Sequence, residues 1–215
     1  KLIADEWIKI RSHLKKSQYA IKPVEILRDG DRSVDLPDFN LVDLRKHEVL
    51  SRYDDIVISD TSRFYSTIYT HAIAWALHTK KWCKDHLPRK RRATYDESLG
   101  AKLDAAIRCC QENHSIGIPI GPDTSRIISE IVASSVDQMF SKLANLSSEQ
   151  AFRNVDDWFI GHNRNDSGEN IIANLALSLS HYGLEIHPDK TKIIKAVNAP
   201  SNLWPSELKR AATYQ

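Results

Sequence analysis

The sequence predicts an α+β fold in which helices pack on one face of an antiparallel sheet. Short apolar runs bounded by turn residues alternate with longer segments whose apolar residues recur at helical spacing. Two of the short runs, residues 152–155 and 158–160, are separated only by Asp156 and Asp157, which is typical of the strands of a hairpin. Because the predicted order is strand, helices, hairpin, helix and strand, we expect one sheet with its helices on one side.

The composition allows one large domain or two small ones. The 215 residues are 41% apolar and 27% charged, which is enough to form a core and excludes a chain disordered by composition. The 30 basic and 28 acidic residues nearly balance, so the overall charge identifies no partner. No apolar run approaches the roughly 20 residues of a membrane span. Three cysteines, two of them adjacent, form neither a disulfide framework nor a zinc site, which favours a reducing, cytoplasmic setting.

Turn and cap signals set the expected boundaries of the elements. The first fifty residues are polar, basic on balance and expected to be rich in loops, with a hairpin turn at Asp29 and Gly30. A capping box at residues 94–97 is expected to open one helix, Pro88 ends the helix before it, and Gly183 ends the last one. The predicted helices cover residues 70–86, the segment from the capping box to about residue 110, residues 124–143 and residues 169–182. Besides the hairpin, the predicted strands cover residues 56–58, 184–186 and 193–194. A turn at Pro188 and Asp189 separates the last two strands.

Three aspartates stand where predicted strands end. Asp60 closes the first strand, and Asp156 and Asp157 form the predicted tip of the hairpin. Adjacent carboxylates in a tight turn repel each other, and a carboxylate at the end of a central strand is partly desolvated, so both cost stability unless a cation is bound. Carboxylate oxygens suit Mg²⁺, and a pair of such ions supports phosphoryl transfer. The alternative is an ordinary polar turn at 156–157 and a helix N-cap at Asp60.

Four segments, taken in order, resemble the motifs of reverse transcriptases. Residues 58–65 resemble the first catalytic motif, a metal-binding aspartate at a strand end with an aromatic residue five positions on. Residues 117–122 resemble the Gly-x-Pro-x-Gly loop that packs against nucleotide and template, residues 154–157 the x-x-Asp-Asp hairpin, and residues 183–192 the lysine-containing turn. The resemblance covers roughly residues 25 to 195. Residues 63–76, with Gly121-Pro122 and Ser125-Arg126, are more similar to the bacterial abortive-infection, defence-associated type than to retroviral or group II intron enzymes.

The resemblance implies a fingers-palm architecture and a polymerase activity. It implies a fingers-like part at 1–55, a palm-like catalytic part at 56–196 with inserted fingers helices at about 80–115, and the start of a helical or thumb region at 197–215. The implied activity is that of a metal-dependent nucleotidyltransferase, an RNA-directed or template-independent DNA polymerase that serves phage defence in the bacterial cytoplasm. Its partners would be deoxynucleoside triphosphates, the DNA product and an RNA template. The resemblance also allows a homo-oligomer.

The resemblance also assigns roles to the acidic residues and one lysine. Asp60 and Asp156 would bind Mg²⁺ or Mn²⁺, with the carbonyl of Thr61 as a further oxygen ligand. Asp157 would be a secondary ligand or an electrostatic support. Lys190 would neutralise or protonate the leaving pyrophosphate. These roles follow from the motifs, each at its matching position in this sequence.

Three other residues are implied to contact the nucleotide, and two depart from the family pattern. Arg32 would meet the triphosphate, Tyr65 would stack under the sugar and exclude a 2′-hydroxyl, and Gly121 belongs to the loop beside nucleotide and template. Ile120 stands where many relatives have Gln, and Asn154 stands where an aromatic residue is common. Both departures weaken the expectation of ordinary template copying.

Two other functions stay open at this point. One is a catalytically silent palm that binds nucleic acid or partner chains, and the other is a conventional retroelement enzyme. The basic run at residues 89–92, with Lys80, Lys81 and Lys84 before it, suits either a nucleic-acid backbone or a solvated loop.

Overall fold

The structure, a computed structural model, describes residues 1–27, 32–35, 38–163 and 167–199. The predicted turn at Asp29 and Gly30, and most of the predicted region at 197–215, lie outside the described residues. The elements in chain order are α1 (Leu2–Asp5), α2 (Trp7–Leu14), α3 (Phe39–Leu50), β1 (Asp55–Asp60), α4 (Phe64–Thr67), α5 (His71–His78), α6 (Lys80–His86), α7 (Arg92–Asp96), α8 (Leu99–Cys109), α9 (Asp123–Ala144), β2 (Ala151–Asn154), β3 (Asp157–His162), α10 (Gly168–His181) and β4 (Lys192–Lys195), with 3₁₀ turns at Pro188–Lys190 and Ala196–Asn198.

Within the described residues the strands form one antiparallel sheet in the order β2-β3-β1-β4. β1 pairs with β3 from Asp55 opposite His162 to Asp60 opposite Asp157, and β4 pairs with the other edge of β1. The predicted strands at 56–58, at 193–194 and in the hairpin are therefore confirmed. So is the α+β fold with an antiparallel sheet backed by helices.

The larger core lies between the sheet and α9 and α10. Val57 of β1 and Trp158 and Ile160 of β3 share this face of the sheet and are fully buried with Ile131 of α9 and Leu175 of α10. The two helices were predicted at nearly these bounds, because their apolar residues repeat at helical spacing over many turns. Gly183, with a φ of 78°, ends α10 as expected.

A second, smaller core on the other face corrects two predictions. α3 covers that face, where Ile56, Phe152 and Phe159 pack with Val42 and Val49. The helices therefore lie on both faces rather than one, and the first fifty residues are not mainly loops. The periodic signal of α3 is weak because its buried residues stand seven positions apart among charged ones.

Two predicted helix boundaries were wrong for local reasons. The helix expected at 70–86 is broken into α5 and α6 at Thr79, which has a φ of 74° and accepts a hydrogen bond from the Trp82 N–H at 3.2 Å. The capping box at 94–97 does not open the next helix. Ser98 caps α8 instead, and its hydroxyl accepts from the Ala101 N–H at 3.3 Å.

Two predicted strand features also differ. Residues 184–186 form no named strand, and Ile186 makes only an isolated bridge to Thr61. Asp157 is the first residue of β3 and pairs with Asn154, so the hairpin tip is Val155-Asp156 rather than Asp156-Asp157. None of the described helices is both long and apolar enough to cross a bilayer.

Candidate active site

Two of the predicted aspartates face each other at the ends of the central strands. Asp60 ends β1, Asp157 begins β3, and the two are directly opposite in the register. The N–H of Thr61 donates to the Asp156 carbonyl at 3.1 Å, which makes the pair of aspartates a non-hydrogen-bonded one, the kind whose side chains are closest. Like charges directly opposite each other destabilise a sheet. The fold therefore holds two carboxylates together at a cost.

The third aspartate lies on the hairpin tip beside them. Burial, with the negative charges of Asp157 and Asp60 adding to it, raises the pKa of Asp156 to about 6. The pKa of Asp157 is raised as well, by partial burial and then by the charge of Asp60, while Lys190 and Lys46 lower it. This end of the sheet therefore has more negative charge than its surroundings neutralise.

Lys190 forms a direct ion pair with one aspartate of this cluster. Its Nζ donates to Asp60 Oδ2 at 2.7 Å, and this bond and the charge of Asp60 raise the pKa of Lys190. The turn that carries the lysine is anchored on the end of β1. The His187 N–H donates to the Asp60 carbonyl at 2.7 Å, and the hydroxyls of Ser59 and Thr191 are 2.9 Å apart. The structure thus brings together the predicted aspartates and the predicted lysine.

The donor chemistry of the cluster fits a site that a substrate completes. Among the described residues, no group of three or more His, Cys, Asp or Glu side chains stands ready to hold one metal ion. Mg²⁺ is commonly bound by one or two carboxylates together with substrate phosphates, rather than by an all-protein cage. Asp60 and Asp156 are the carboxylates that would hold such an ion. Thr61 supplies a carbonyl next to the hairpin tip, to which its N–H is bonded.

Tyr65 links the first motif to the Gly/Pro loop. It lies in α4, directly after β1, is half-buried, and its ring packs edge-on against Phe64 with centroids 5.5 Å apart. Its carbonyl accepts from the Ile118 N–H at 2.8 Å, and Ser129 of α9 donates to its hydroxyl at 3.4 Å. The backbone of the loop is therefore fixed to the turn that follows Asp60.

Gly121 and Arg32 lie on neighbouring segments. Gly121 has a φ of 115°, which favours glycine, and no atom lies within 4 Å of where a Cβ would stand. The carboxylate of Asp123, two residues on, accepts from the Ser33 N–H at 2.8 Å, so the Arg32 segment is held at the end of this loop. Arg32 is exposed. No hydrogen bond or ion pair between described residues joins Arg32, Tyr65 or Gly121 to the carboxylates.

Sequence reasoning missed a buried arginine two residues before the hairpin tip. Arg153 of β2 is 2% exposed and donates to Asp137 from Nε and Nη2, both at 2.8 Å. It also donates to Glu130 from Nη1 at 3.0 Å and Nη2 at 2.9 Å. A fifth bond, from Nη1 to the carbonyl of Val155 at 2.7 Å, reaches the tip itself. Arg153 therefore ties the tip to α9.

The charges around Arg153 balance. Arg126 pairs with Glu130 at 3.2 Å, so two arginines face Glu130 and Asp137, and the hydroxyl of Ser17 donates to Asp137. Burial alone would raise the pKa of Glu130, but the two arginines outweigh it and lower that pKa. A signal was present in the sequence, because Glu130 and Asp137 interrupt the apolar face of the longest helix.

No protein-family model matches the chain, and no curated protein matches it.

Proposed function

We propose that this chain is the fingers-palm part of a metal-dependent DNA polymerase of the reverse transcriptase type. The observation that supports this best is the opposition of Asp60 and Asp157 at adjacent strand ends, with Asp156 on the hairpin between β2 and β3. Carboxylates that a single lysine compensates only in part favour a bound cation in this arrangement. The motif order supports the choice of phosphoryl transfer over other metal-assisted reactions.

Each residue of the cluster has a role in this proposal. Bound Mg²⁺ or Mn²⁺ would supply charge neutralisation for the attacking hydroxyl and the leaving oxygen. Asp60 and Asp156 would hold it with the Thr61 carbonyl, and Asp157 would add negative charge nearby. Lys190 carries its positive charge to the same point, because it is hydrogen-bonded to Asp60, and would neutralise the leaving pyrophosphate.

The remaining assignments concern the nucleotide and the biological setting. Arg32 is exposed and without an acidic partner among the described residues, which suits an arginine that binds a triphosphate. Tyr65 would select deoxynucleotides, and Gly121 would let the loop approach them closely. Anti-phage defence, synthesis without a template, a bacterial cytoplasmic location and assembly into a homo-oligomer are proposed from the motif resemblance.

A second candidate is a catalytically silent palm that binds nucleic acid or a partner chain. The observation that favours it is the Lys190–Asp60 ion pair, because a lysine ammonium already neutralises the carboxylate that would hold the metal. The two candidates predict opposite results in a polymerisation assay.

The deciding experiment uses the full-length protein that contains this chain, with Mg²⁺, labelled deoxynucleotides, and RNA template present or absent. We expect incorporation by the wild type and a loss of about 10²–10³-fold or more in Asp156→Asn/Asp157→Asn, as for removal of a group that stabilises transition-state charge. Glu112→Gln changes an exposed acid outside the four motif segments and should leave incorporation unchanged.

Each result has a distinct meaning. A product formed without template supports the abortive-infection type, and a product that requires RNA supports a conventional reverse transcriptase. A wild type as inert as the double variant with every template and metal would overturn the proposal in favour of the silent palm.

A further inference from the structure

A cavity of about 800 Å³ lies among α5, α6, α7 and α8, away from the residues of the proposed polymerase mechanism. Neither the three aspartates of the candidate active site nor Lys190 lines it. Its volume is within the range of pockets that bind small organic ligands. It therefore has room for a ligand of its own, separate from the carboxylates.

Aromatic side chains form much of the wall of this cavity. Tyr69 and Trp75 lie on one side with ring centroids 5.5 Å apart, and Tyr95 of α7 also lines the cavity. Trp82 stacks behind Tyr95, with centroids 6.3 Å apart, and supports its ring. Aromatic faces of this kind bind planar heterocycles, including unpaired nucleobases, by stacking.

The cavity also contains a fixed polar group. Asp104 is 2% exposed, and its carboxylate bonds His71 Nδ1 at 2.5 Å and Arg108 Nε at 3.1 Å. Because Nδ1 is engaged, the His71 ring has a set orientation, and its Nε2 makes no hydrogen bond to a described residue. His71 lines the cavity with a third of its side chain exposed, so it offers one polar atom to the edge of a ring.

Positive charge without an acidic partner in the described part of the chain lies next to the cavity in sequence, at residues 89–91. Three cations that line the cavity are each paired with an acid, Arg92 with Asp96, Lys102 with Glu97 and Arg108 with Asp104. The Arg92 guanidinium lies 5.4 Å from the centre of the Tyr95 ring, and the exposed residues 89–91 precede it in the chain. Those three basic residues form no ion pair with an acid in the described part of the chain. Their exposed charges suit the phosphates of a nucleic acid.

We propose that this cavity binds an unpaired nucleotide, with its base among Tyr69, Trp75 and Tyr95 and its phosphate toward Arg92 and the exposed basic residues 89–91 that precede it. The nucleotide is either free or part of a single strand whose next phosphates follow residues 89–91. A planar ring accounts for the aromatic wall, and an attached anion accounts for the basic rim. The proposal does not depend on the polymerase activity, because the site shares no residue with the carboxylate cluster.

The test measures binding to the full chain without divalent metal, by fluorescence anisotropy of labelled single strands of DNA and RNA of about fifteen nucleotides. Ala105→Trp fills the cavity from an exposed position that lines it, and Ala106→Trp places the same side chain on the next residue, which lines a different groove. We expect roughly a tenfold or greater weakening for Ala105→Trp, the size of one lost stacking contact, and a change within about twofold for Ala106→Trp.

Two further experiments distinguish a free nucleotide from a single strand and measure the contribution of the basic residues. Competition by mononucleotides supports a free nucleotide, and its failure with retained strand binding supports a single strand. Arg89→Ser/Arg91→Ser should lower the slope of log affinity against log salt by about 1–2. Binding should persist in Asp156→Asn/Asp157→Asn. The proposal is overturned if Ala105→Trp binds like the wild type, if a duplex binds as tightly as a single strand, or if the aspartate variant abolishes binding.

Discussion

Two clusters of charged residues lie within a few residues of each other on the β2–β3 hairpin, and they are built in opposite ways. Around Arg153 the charges are buried and balanced, with two arginines facing two acids. At the strand ends, Asp60, Asp156 and Asp157 repel one another, and Lys190 pairs with only one of them. The difference indicates that rigidity comes from the buried cluster, while the negative charge left at the strand ends is available to a ligand.

The largest expected effect comes from breaking the buried cluster. Arg153→Met should lower the free energy of unfolding by about 3–5 kcal/mol, because it leaves Asp137 buried without an arginine and Glu130 with Arg126 alone. Denaturant unfolding measures this change. Arg52→Met is the matched control, because Arg52 is half-exposed in its ion pair with Glu149, and such pairs contribute about 0–1 kcal/mol. Equal losses in the two variants would contradict the contrast.

The second effect concerns the strand ends and has the opposite sign. The pKa of Asp156 is raised to about 6, so between roughly pH 4 and that value the folded state binds more protons than the unfolded state. Stability is therefore lost as the pH rises through this window. Asp156→Asn cannot ionise, so its advantage over the wild type should be near zero below about pH 4. The advantage should grow through the window and reach about 1–2 kcal/mol above about pH 6, allowing for solvent screening.

The predicted pH dependence is tested by measuring the unfolding free energies of Asp156→Asn and the wild type from acid to neutral pH. Asn154→Ala, a neutral change on the same hairpin, should shift stability by the same amount at every pH. An Asp156→Asn curve that runs parallel to the wild type would show that repulsion at the tip is absent.

A slightly smaller effect is expected from a divalent cation. If the strand ends hold Mg²⁺, a concentration ten times its Kd should stabilise the wild type by about 1.4 kcal/mol. Asp156→Asn/Asp157→Asn should gain nothing. Thermal unfolding with NaCl at matched ionic strength as the blank makes the comparison, and an equal response from both proteins would assign the effect to nonspecific screening.

The strand ends were predictable from the sequence because their signals are local. An apolar run that ends in Asp60, and two short runs that flank Asp156 and Asp157, determine both the strands and the carboxylates. The exact tip was wrong by one residue, because pairing of Asn154 with Asp157 depends on the register of two strands.

The features that were not predicted depend on contacts distant in sequence or on weak periodicity. The Lys190–Asp60 bond joins residues 130 positions apart, and Arg153 reaches α9 across 16 and 23 positions. α3 was missed because its buried residues are few. The break at Thr79 was missed because a threonine with a positive φ carries no strong sequence signal.

The smallest effect tests the link between the two clusters. Val155 has a φ of 60°, an unfavourable value for a β-branched residue, and its carbonyl accepts the bond from Arg153. At such a position glycine avoids the clash that any Cβ makes. Val155→Gly should therefore be more stable than Val155→Ala by about 1 kcal/mol, although both lose the same packing atoms beyond Cβ.

The comparison is informative because the expected order of stability, glycine above alanine at residue 155, is the reverse of the order in a strand. In β1, Ile58→Gly should be less stable than Ile58→Ala, the usual order in a strand, because glycine loses more conformational freedom on folding. If alanine is also the more stable choice at residue 155, the tip does not keep its positive φ in solution. If glycine is, the bond from Arg153 holds a strained residue in place, and the buried cluster fixes the backbone from which Asp156 projects.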